Sequence, residues 1–385
     1  MRRITILGST GSIGRQALEV IREFPEELRV VGLSARSNAE LLADQVREFR
    51  PRWAQVGDAS LAESLRERIR GMDTEVLVGP EGLRRIARES GADMVLVATV
   101  GSVGLEPTLD AIEEGIDIAL ANKEVLVVAG ELVTAAARRR KVRLLPIDSE
   151  HNAIYQCLQA GRREEVRRLI LTCSGGPFRN ADREEIDAAG PEKTLNHPTW
   201  EMGRKITVDS ATLMNKGFEV IEAHFLFDLP VDRVEVVIHP QSILHSMVEF
   251  VDGSILAQLG PTDMRLPIQH VFLLPERRPS RVASLDWSAP RTLTFEPPDL
   301  ERFPCLRYAY ESARIGGTMP CVLNAANEVA VAAHLDGRIR CGDIARLIHE
   351  VLEHHTPLPH PDLETLRDAD RQARQKAHEV LGRMA

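Results

Sequence analysis

Residues 4–24 read ITILGSTGSIGRQALEVIREF: a short apolar run, a loop with glycines at 8, 11 and 14, then apolar residues at helical spacing. Glycines let a backbone turn tightly and approach a pyrophosphate, whose charge the free N–H groups of a helix start can hold. A glycine triplet alone is weak, because an empty tight turn has the same pattern. Its place between the first strand and first helix of an alternating chain makes a dinucleotide the expected ligand. Onward to about residue 148, the runs RVVGL, RWAQV, TEVLV, DMVLVAT, DIALA and VRLLPI alternate with helical patterns. Continuous apolar runs, rather than alternating ones, mean strands covered on both faces. The expected fold class is α/β, with an N-terminal doubly wound parallel, Rossmann-like sheet.

After about residue 151 the rhythm changes. One more buried strand, RLILTCSGG, precedes a polar loop, a helix, and strands around the turn VDGS at 251–254, which predict a central α+β part with antiparallel strands. Residues 273–304, rich in Pro and Arg, suit a linker crossing the surface. Beyond them VLNAANEVAVAAHL, DIARLIHEVLEHH and DLETLRDADRQARQKAHEVLGRM predict a terminal helical bundle. The expected division is a dinucleotide-binding domain at 1–150, a catalytic and dimerisation domain at 151–274, a linker at 275–299 and a helical domain at 300–385.

With 385 residues, 43% of them hydrophobic, the chain is long enough for two or three packed units. The net charge of −9 argues against a nucleic-acid partner. Five dispersed cysteines without a C-x-x-C argue against a disulfide framework and a zinc site, and fit a reducing cytoplasm. No apolar segment is long enough to span a membrane, and the strand pattern begins so near Met1 that no signal or transit peptide is expected.

NAD enzymes place an Asp or Glu ~20 residues beyond the glycine loop for the ribose 2′-hydroxyl; NADP enzymes accommodate a phosphate there with Arg. The second strand ends in LSARSN, offering Arg36, Ser37 and Asn38. NADP is the expected cofactor.

The stretch LLPIDSEHNAI, residues 144–154, ends an apolar run in Asp148 and Glu150. On an extended chain both carboxylates point to one side, and their repulsion needs a proton, a cationic side chain or a metal. A hard divalent cation with oxygen ligands answers this. The segment DSATLMNKGFEVIEAHFLF, residues 209–227, reads as one helix with Met214, Phe218, Ile221 and Phe225 on its apolar stripe and Asn215, Glu219 and Glu222 on another face. Spacing alone leaves two readings open: a metal centre, or a helix cap with surface charge.

The motifs LGSTGSIG, ALANKE, LPIDSEHNAI, SGGPF, HPTWEMGRKITVDSATLMNKGFEVIEAH, HPQSILHSMVEF and LNAANEVAVAA together closely resemble the 1-deoxy-D-xylulose 5-phosphate reductoisomerase family, over residues 3–335. The resemblance implies that Asp148, Glu150 and Glu219 hold Mg²⁺, Mn²⁺ or Co²⁺, with Lys123 and Ser149 touching the reacting end of the substrate. It implies that Ser174, His197, Ser210, Asn215 and Lys216 bind the substrate, chiefly its phosphate, and that Trp200 and Met202 belong to a loop closing over it. It implies cofactor contacts at Thr10, Gly11, Ser12, Ile13, Asn122, Glu124 and Gly203, beside Gly8 and Gly14 of the glycine loop. One departure stands out: where members often carry Gly-Lys-Asn beneath the 2′-phosphate, this chain has Arg36, Ser37 and Asn38.

The implied reaction rearranges a phosphorylated deoxyketose and reduces the branched aldehyde to 2-C-methyl-D-erythritol 4-phosphate with NADPH, in isoprenoid precursor synthesis by the non-mevalonate route. The general base stays open among Lys123, Glu150 and a metal-bound water. The family also implies a homodimer. Two rivals are a metal-free NADP-dependent dehydrogenase, in which the acidic pair is structural, and a non-catalytic NADP-binding protein.

Overall fold

The computed structural model describes residues 1–200 and 202–384. Its chain divides into two compact units, one made of Met1–Val125, Val133–Asn152 and Asp263–Ala283, the other of Leu126–Leu132, Ala153–Thr262 and Ser284–Ala385. This partition differs from the segments expected at 1–150, 151–274, 275–299 and 300–385. The helix Arg265–Leu273 belongs with the first unit, where the Arg2 guanidinium donates to Phe272 O and, at 2.9 Å, to Leu274 O. The C-terminal helices share one core with the helix Met214–Phe227: Met214, Phe218 and Ile221 cluster with Val322, Leu323, Ala326 and Ala330. Fully burying a side chain such as Phe218 contributes about 2 kcal/mol, so this core does not stop at residue 300.

In the first unit, strands β1 (Arg2–Leu7), β2 (Leu28–Ser34), β3 (Trp53–Val56), β4 (Glu75–Val78), β5 (Met94–Val97), β6 (Asp117–Leu120) and β7 (Leu144–Pro146) form one sheet in the order β4-β3-β2-β1-β5-β6-β7. Every pairing is parallel. All residues of β3 and β5 are buried, as continuous apolar runs covered on both faces require. The strand order reverses between β1 and β5, which makes the crevice beyond their carboxyl ends the ligand position of such a sheet.

In the second unit, β8 (Val166–Cys173), β9 (Val234–Ile238), β10 (Leu244–Phe250) and β11 (Ile255–Leu259) form a sheet in the order β11-β10-β8-β9. The hairpin β10–β11 and the β10–β8 pair are antiparallel as expected, but β8 and β9 run parallel. A parallel pair needs a long crossover, and the helices between residues 183 and 227 supply it.

Two local expectations give way. Residues 209–227 are not one helix: Arg204–Ala211 and Met214–Phe227 are separated at Leu213, whose φ is +58°. The Thr212 hydroxyl closes the first helix by donating back to Val208 O (3.3 Å) and Asp209 O (3.2 Å). Nor does the chain stay extended through Glu150. The strand stops at Pro146 and the helix Ser149–Cys157 begins, Asn152 N donating to Asp148 O at 2.8 Å and its side chain to Pro146 O at 2.9 Å.

Burial holds five imidazoles, His197, His245, His270, His334 and His355, below their ordinary value, His270 at about 4. The unfolded chain takes up these protons near pH 6.5 while the native protein refuses them, so stability is lost as pH falls below 6.5, for His270 down to about 4. Calorimetry is expected to show Tm falling steadily over that window. His270→Gln, which keeps an acceptor for Asn152 Nδ2 (3.2 Å from His270 Nδ1), flattens the slope; an unchanged slope contradicts the assignment.

Candidate active site

The acidic pair sits at the carboxyl end of β7, in the first unit. Asp148 directly precedes the helix, and Glu150 lies in its first turn, where a carboxylate is favoured by the helix dipole. Lys123, which precedes the helix Glu124–Arg140, brings its ammonium 2.6 Å from Asp148 Oδ2, with both side chains largely buried. Ser149 Oγ donates to the Glu150 carboxylate. Lys123, Asp148, Ser149 and Glu150 thus form one charged cluster, and its donors are hard oxygens of the kind Mg²⁺ or Mn²⁺ takes.

In the second unit the left-handed turn at Leu213 launches the helix that carries Asn215, Lys216 and Glu219. Glu219 is 1% exposed. It accepts from Asn215 Nδ2 at 2.6 Å and pairs with Lys216 one turn before it. Charges this deeply buried persist only when paired, and here the Glu219 carboxylate and the Lys216 ammonium satisfy each other.

Ser174 follows β8, and its hydroxyl lies 3.1 Å from His197 Nε2. His197 Nδ1 accepts from Thr199 N (3.2 Å) and Trp200 N (3.0 Å), so the neutral ring carries its proton on Nε2 and donates it to Ser174 Oγ. Ser174 Oγ also accepts from Gly176 N at 3.3 Å, which leaves the Ser174 proton to be given to a ligand. Burial holds His197 neutral at pH 7. Ser210 is half-buried near the end of the helix Arg204–Ala211, whose N-cap is Gly203. Met202 is half-buried in the loop before it.

The glycine loop follows β1. Gly8 adopts φ +91°, and a Cβ on Gly14 would lie 2.3 Å from Gly8 O. The helix Ser12–Glu23 has Gly11 as N-cap, no side-chain cap and no acidic residue in its first turn. The N–H groups from Ser12, Ile13 and Gly14 have no intrahelical acceptor and no competing carboxylate, which suits a pyrophosphate. Thr10 is half-buried at the same bend. Arg36 and Ser37 are exposed beyond β2, but the Asn38 oxygen is spent as N-cap on Leu41 N, 3.0 Å away. Asn122 is likewise consumed: its Nδ2 donates to Thr99 O (2.6 Å) and Gly101 O (2.8 Å), and its oxygen accepts from Val125 N. It braces the loop after β5 rather than reaching outward. Glu124 is buried beside it.

Sequence reasoning missed two parts of this cradle. The loop at 99–104, after β5, flanks the point where strand order reverses, and exposes Val100 and Val103; its VGSVG run was the available signal. Gln45, only 5% exposed on the helix Ala39–Phe49, accepts from Ser9 Oγ (2.7 Å) and donates to Ser9 O (2.9 Å). A polar residue on an otherwise apolar face was its signature.

Three family descriptions match the chain: 1-deoxy-D-xylulose 5-phosphate reductoisomerase at residues 4–130, its C-terminal domain at 144–227, and the DXP reductoisomerase C-terminal domain at 259–376. The 1-deoxy-D-xylulose 5-phosphate reductoisomerase of Chlorobium phaeobacteroides (strain BS1) is 52% identical over 377 residues, covering 98% of this chain and 99% of the relative. The Zymomonas mobilis reductoisomerase solved with NADPH superimposes with a TM-score of 0.93 at 45% identity, covering 99% of both chains. A DOX-P reductoisomerase solved with NADPH, fosmidomycin and magnesium gives 0.92 at 40% identity, covering 99% of this chain and 98% of that one. Matched over these spans and at these identities along nearly its whole length, the chain belongs to the 1-deoxy-D-xylulose 5-phosphate reductoisomerase family.

Proposed function

We infer that the chain converts 1-deoxy-D-xylulose 5-phosphate into 2-C-methyl-D-erythritol 4-phosphate with NADPH and a divalent metal, as an oxidoreductase with isomerase activity. The observation that carries the reading is the buried Glu219 carboxylate sharing one helix turn with Lys216 and Asn215. Asp148, Glu150 and Glu219 hold the cation, Mg²⁺, Mn²⁺ or Co²⁺, in this proposal. When bound, such an ion supplies Lewis-acid polarisation of the substrate's carbonyl and hydroxyl oxygens.

Lys216, Ser210, Asn215 and Ser174 take the phosphate, one ammonium surrounded by neutral donors being well matched to a dianion. Neutral His197 orients the Ser174 hydroxyl rather than adding charge. Lys123, withdrawn from water beside Asp148, is placed to hold or move a proton near the reacting carbons. Anchoring the phosphate away from those carbons fixes the small molecule in register. Trp200 and Met202, in the loop past His197, exclude water from the aldehyde stage. NADPH supplies hydride from the cradle after β1, with Arg36 and Ser37 beneath the 2′-phosphate.

The test mixes purified protein, 1-deoxy-D-xylulose 5-phosphate, NADPH and Mn²⁺ and follows nicotinamide absorbance. Oxidation that stops in EDTA and returns with Mn²⁺ supports the reading, whereas activity surviving full chelation fits a metal-free dehydrogenase.

The chain also works as a homodimer in the cytoplasm. Edge strand β11 leaves Ile255 (49%), Leu256 (39%) and Leu259 (37%) exposed beside Val251 (65%). An apolar sheet edge of this kind invites cover by a second copy. Sedimentation at micromolar concentration is expected to give twice 42.8 kDa; monomer alone contradicts it. All five cysteines are free and buried, in keeping with a reducing compartment. Among the described residues no helix is long and apolar enough to cross a membrane.

A further inference from the structure

We propose that the trio Lys205, Asp209 and Asn327 is a positioning device for phosphate recognition, fixing the turn that carries Ser210, Asn215 and Lys216. The inference rests on the phosphate site proposed above and adds residues outside it. Asp209 is 2% exposed and Asn327 is fully buried. Both carboxylate oxygens are engaged: Asn327 Nδ2 donates to Oδ1 at 2.8 Å, and Lys205 Nζ lies 2.8 Å from Oδ2.

Asn327 is a fully buried polar residue in the helix Met319–Leu335, whose other buried positions include Ala325, Ala326 and Ala330. Among the described residues its own Oδ1 has no hydrogen-bond partner. An amide half unsatisfied in a core is unfavourable, and turning it over would aim its oxygen at the Asp209 carboxylate. Its orientation is therefore set by Asp209, and the role of the LNAANE stretch at this position is to grip that acid.

Asp209 transmits the grip through its own main chain. Its carbonyl accepts from Thr212 Oγ1 at 3.2 Å, and Met214 N donates to the same hydroxyl at 3.4 Å, bracketing the left-handed Leu213. Lys205 Nζ also lies 5.2 Å from the centre of the Phe218 ring, the residue before Glu219. Next to Asp209, the Ser210 carbonyl lies so close to Gly176 that a Cβ there would come within 2.6 Å of it. The loop of Ser174 and the helix of Lys216 thus both take their position from one acid, which is hydrogen-bonded to side chains of the fold and not to the reacting groups.

Steady-state kinetics on Asp209→Asn, Asn327→Asp, the double exchange and Ser210→Ala test this. Either single change is expected to raise KM for 1-deoxy-D-xylulose 5-phosphate about tenfold, with kcat and KM for NADPH within about twofold, the signature of lost substrate binding. The double exchange returns KM most of the way, because one acid again faces one amide. A merely structural trio would lower Tm and active fraction while leaving KM unmoved, and that result overturns the proposal, as does a double exchange no better than the single variants. If a charge-altering variant does not fold, Asn327→Ser replaces it and must show the same rise in KM. Ser210→Ala separates the two readings: no rise in KM there removes the phosphate site itself, whereas a rise there with none in Asp209→Asn removes only this inference.

Discussion

Glu219→Gln is expected to lower kcat/KM for 1-deoxy-D-xylulose 5-phosphate about a thousandfold, with NADPH affinity within about twofold of the parent by nicotinamide fluorescence. Glutamine has the same shape and still accepts from Asn215 Nδ2, now 2.6 Å from Glu219 Oε1, so the change removes charge and little else. A thousandfold is about 4 kcal/mol at the transition state, the scale expected when a ligand carboxylate is withdrawn from a Lewis-acid centre. A second effect runs beside it. Lys216 loses the counter-charge it holds inside the fold, and leaving one member of a buried pair alone costs about 3–5 kcal/mol. The variant therefore melts lower, and kinetics belong well below its Tm. Higher Mn²⁺ recovers part of the rate if the defect is metal affinity. A folded variant keeping a tenth of the parent activity contradicts the assignment of Glu219.

The same helix shows what could be read from sequence. Asn215, Glu219 and Glu222 were set apart by their spacing from the apolar stripe of Met214, Phe218 and Ile221, a stripe that survives in the core, whereas Lys216 was picked out by the family resemblance. The parallel sheet was legible for a similar reason: the MVLV within DMVLVAT is apolar at every position, and β5 is buried at every position. The break at Leu213 was not legible, because a left-handed leucine is fixed by the Thr212 back-bond and the packing on either side, not by any turn residue. The start of the helix at Ser149 was hidden likewise, since the apolar run LLPI leads straight into DSE, and Asn152, donating from its side chain to Pro146 O and from its main chain to Asp148 O, turns the chain there. The trio of Lys205, Asp209 and Asn327 joins residues 118 positions apart, and no local pattern announces such a contact. Gln45 clasping Ser9 fell between these cases: its burial was readable from the helix face, its partner was not.

Gly14→Ala is expected to weaken NADPH binding about a hundredfold, or about 2.7 kcal/mol, and to lower Tm, while Gly11→Ala does far less. At Gly14 the added methyl meets backbone, 2.3 Å from Gly8 O and 2.5 Å from Ser9 Cα. The loop cannot retreat: Ser9 is held by Gln45 through two hydrogen bonds, and Gly8 N and Ser9 N both donate to Ser34 O. The helix start must shift instead, and with it the first-turn N–H groups proposed to hold the pyrophosphate; overpacking of this kind costs about 1–3 kcal/mol in stability as well. At Gly11 the nearest atom to an added Cβ is Gly8 O at 3.3 Å, and its φ of −76° is open to any residue. A few tenths of an ångström of give accommodates it. The ranking carries the claim more firmly than either value, because both glycines belong to the same motif and sequence alone weights them equally. Isothermal titration of NADPH into each variant checks it: equal losses at the two positions would mean that the close approach of Gly14 to Gly8 does not set the phosphate cradle.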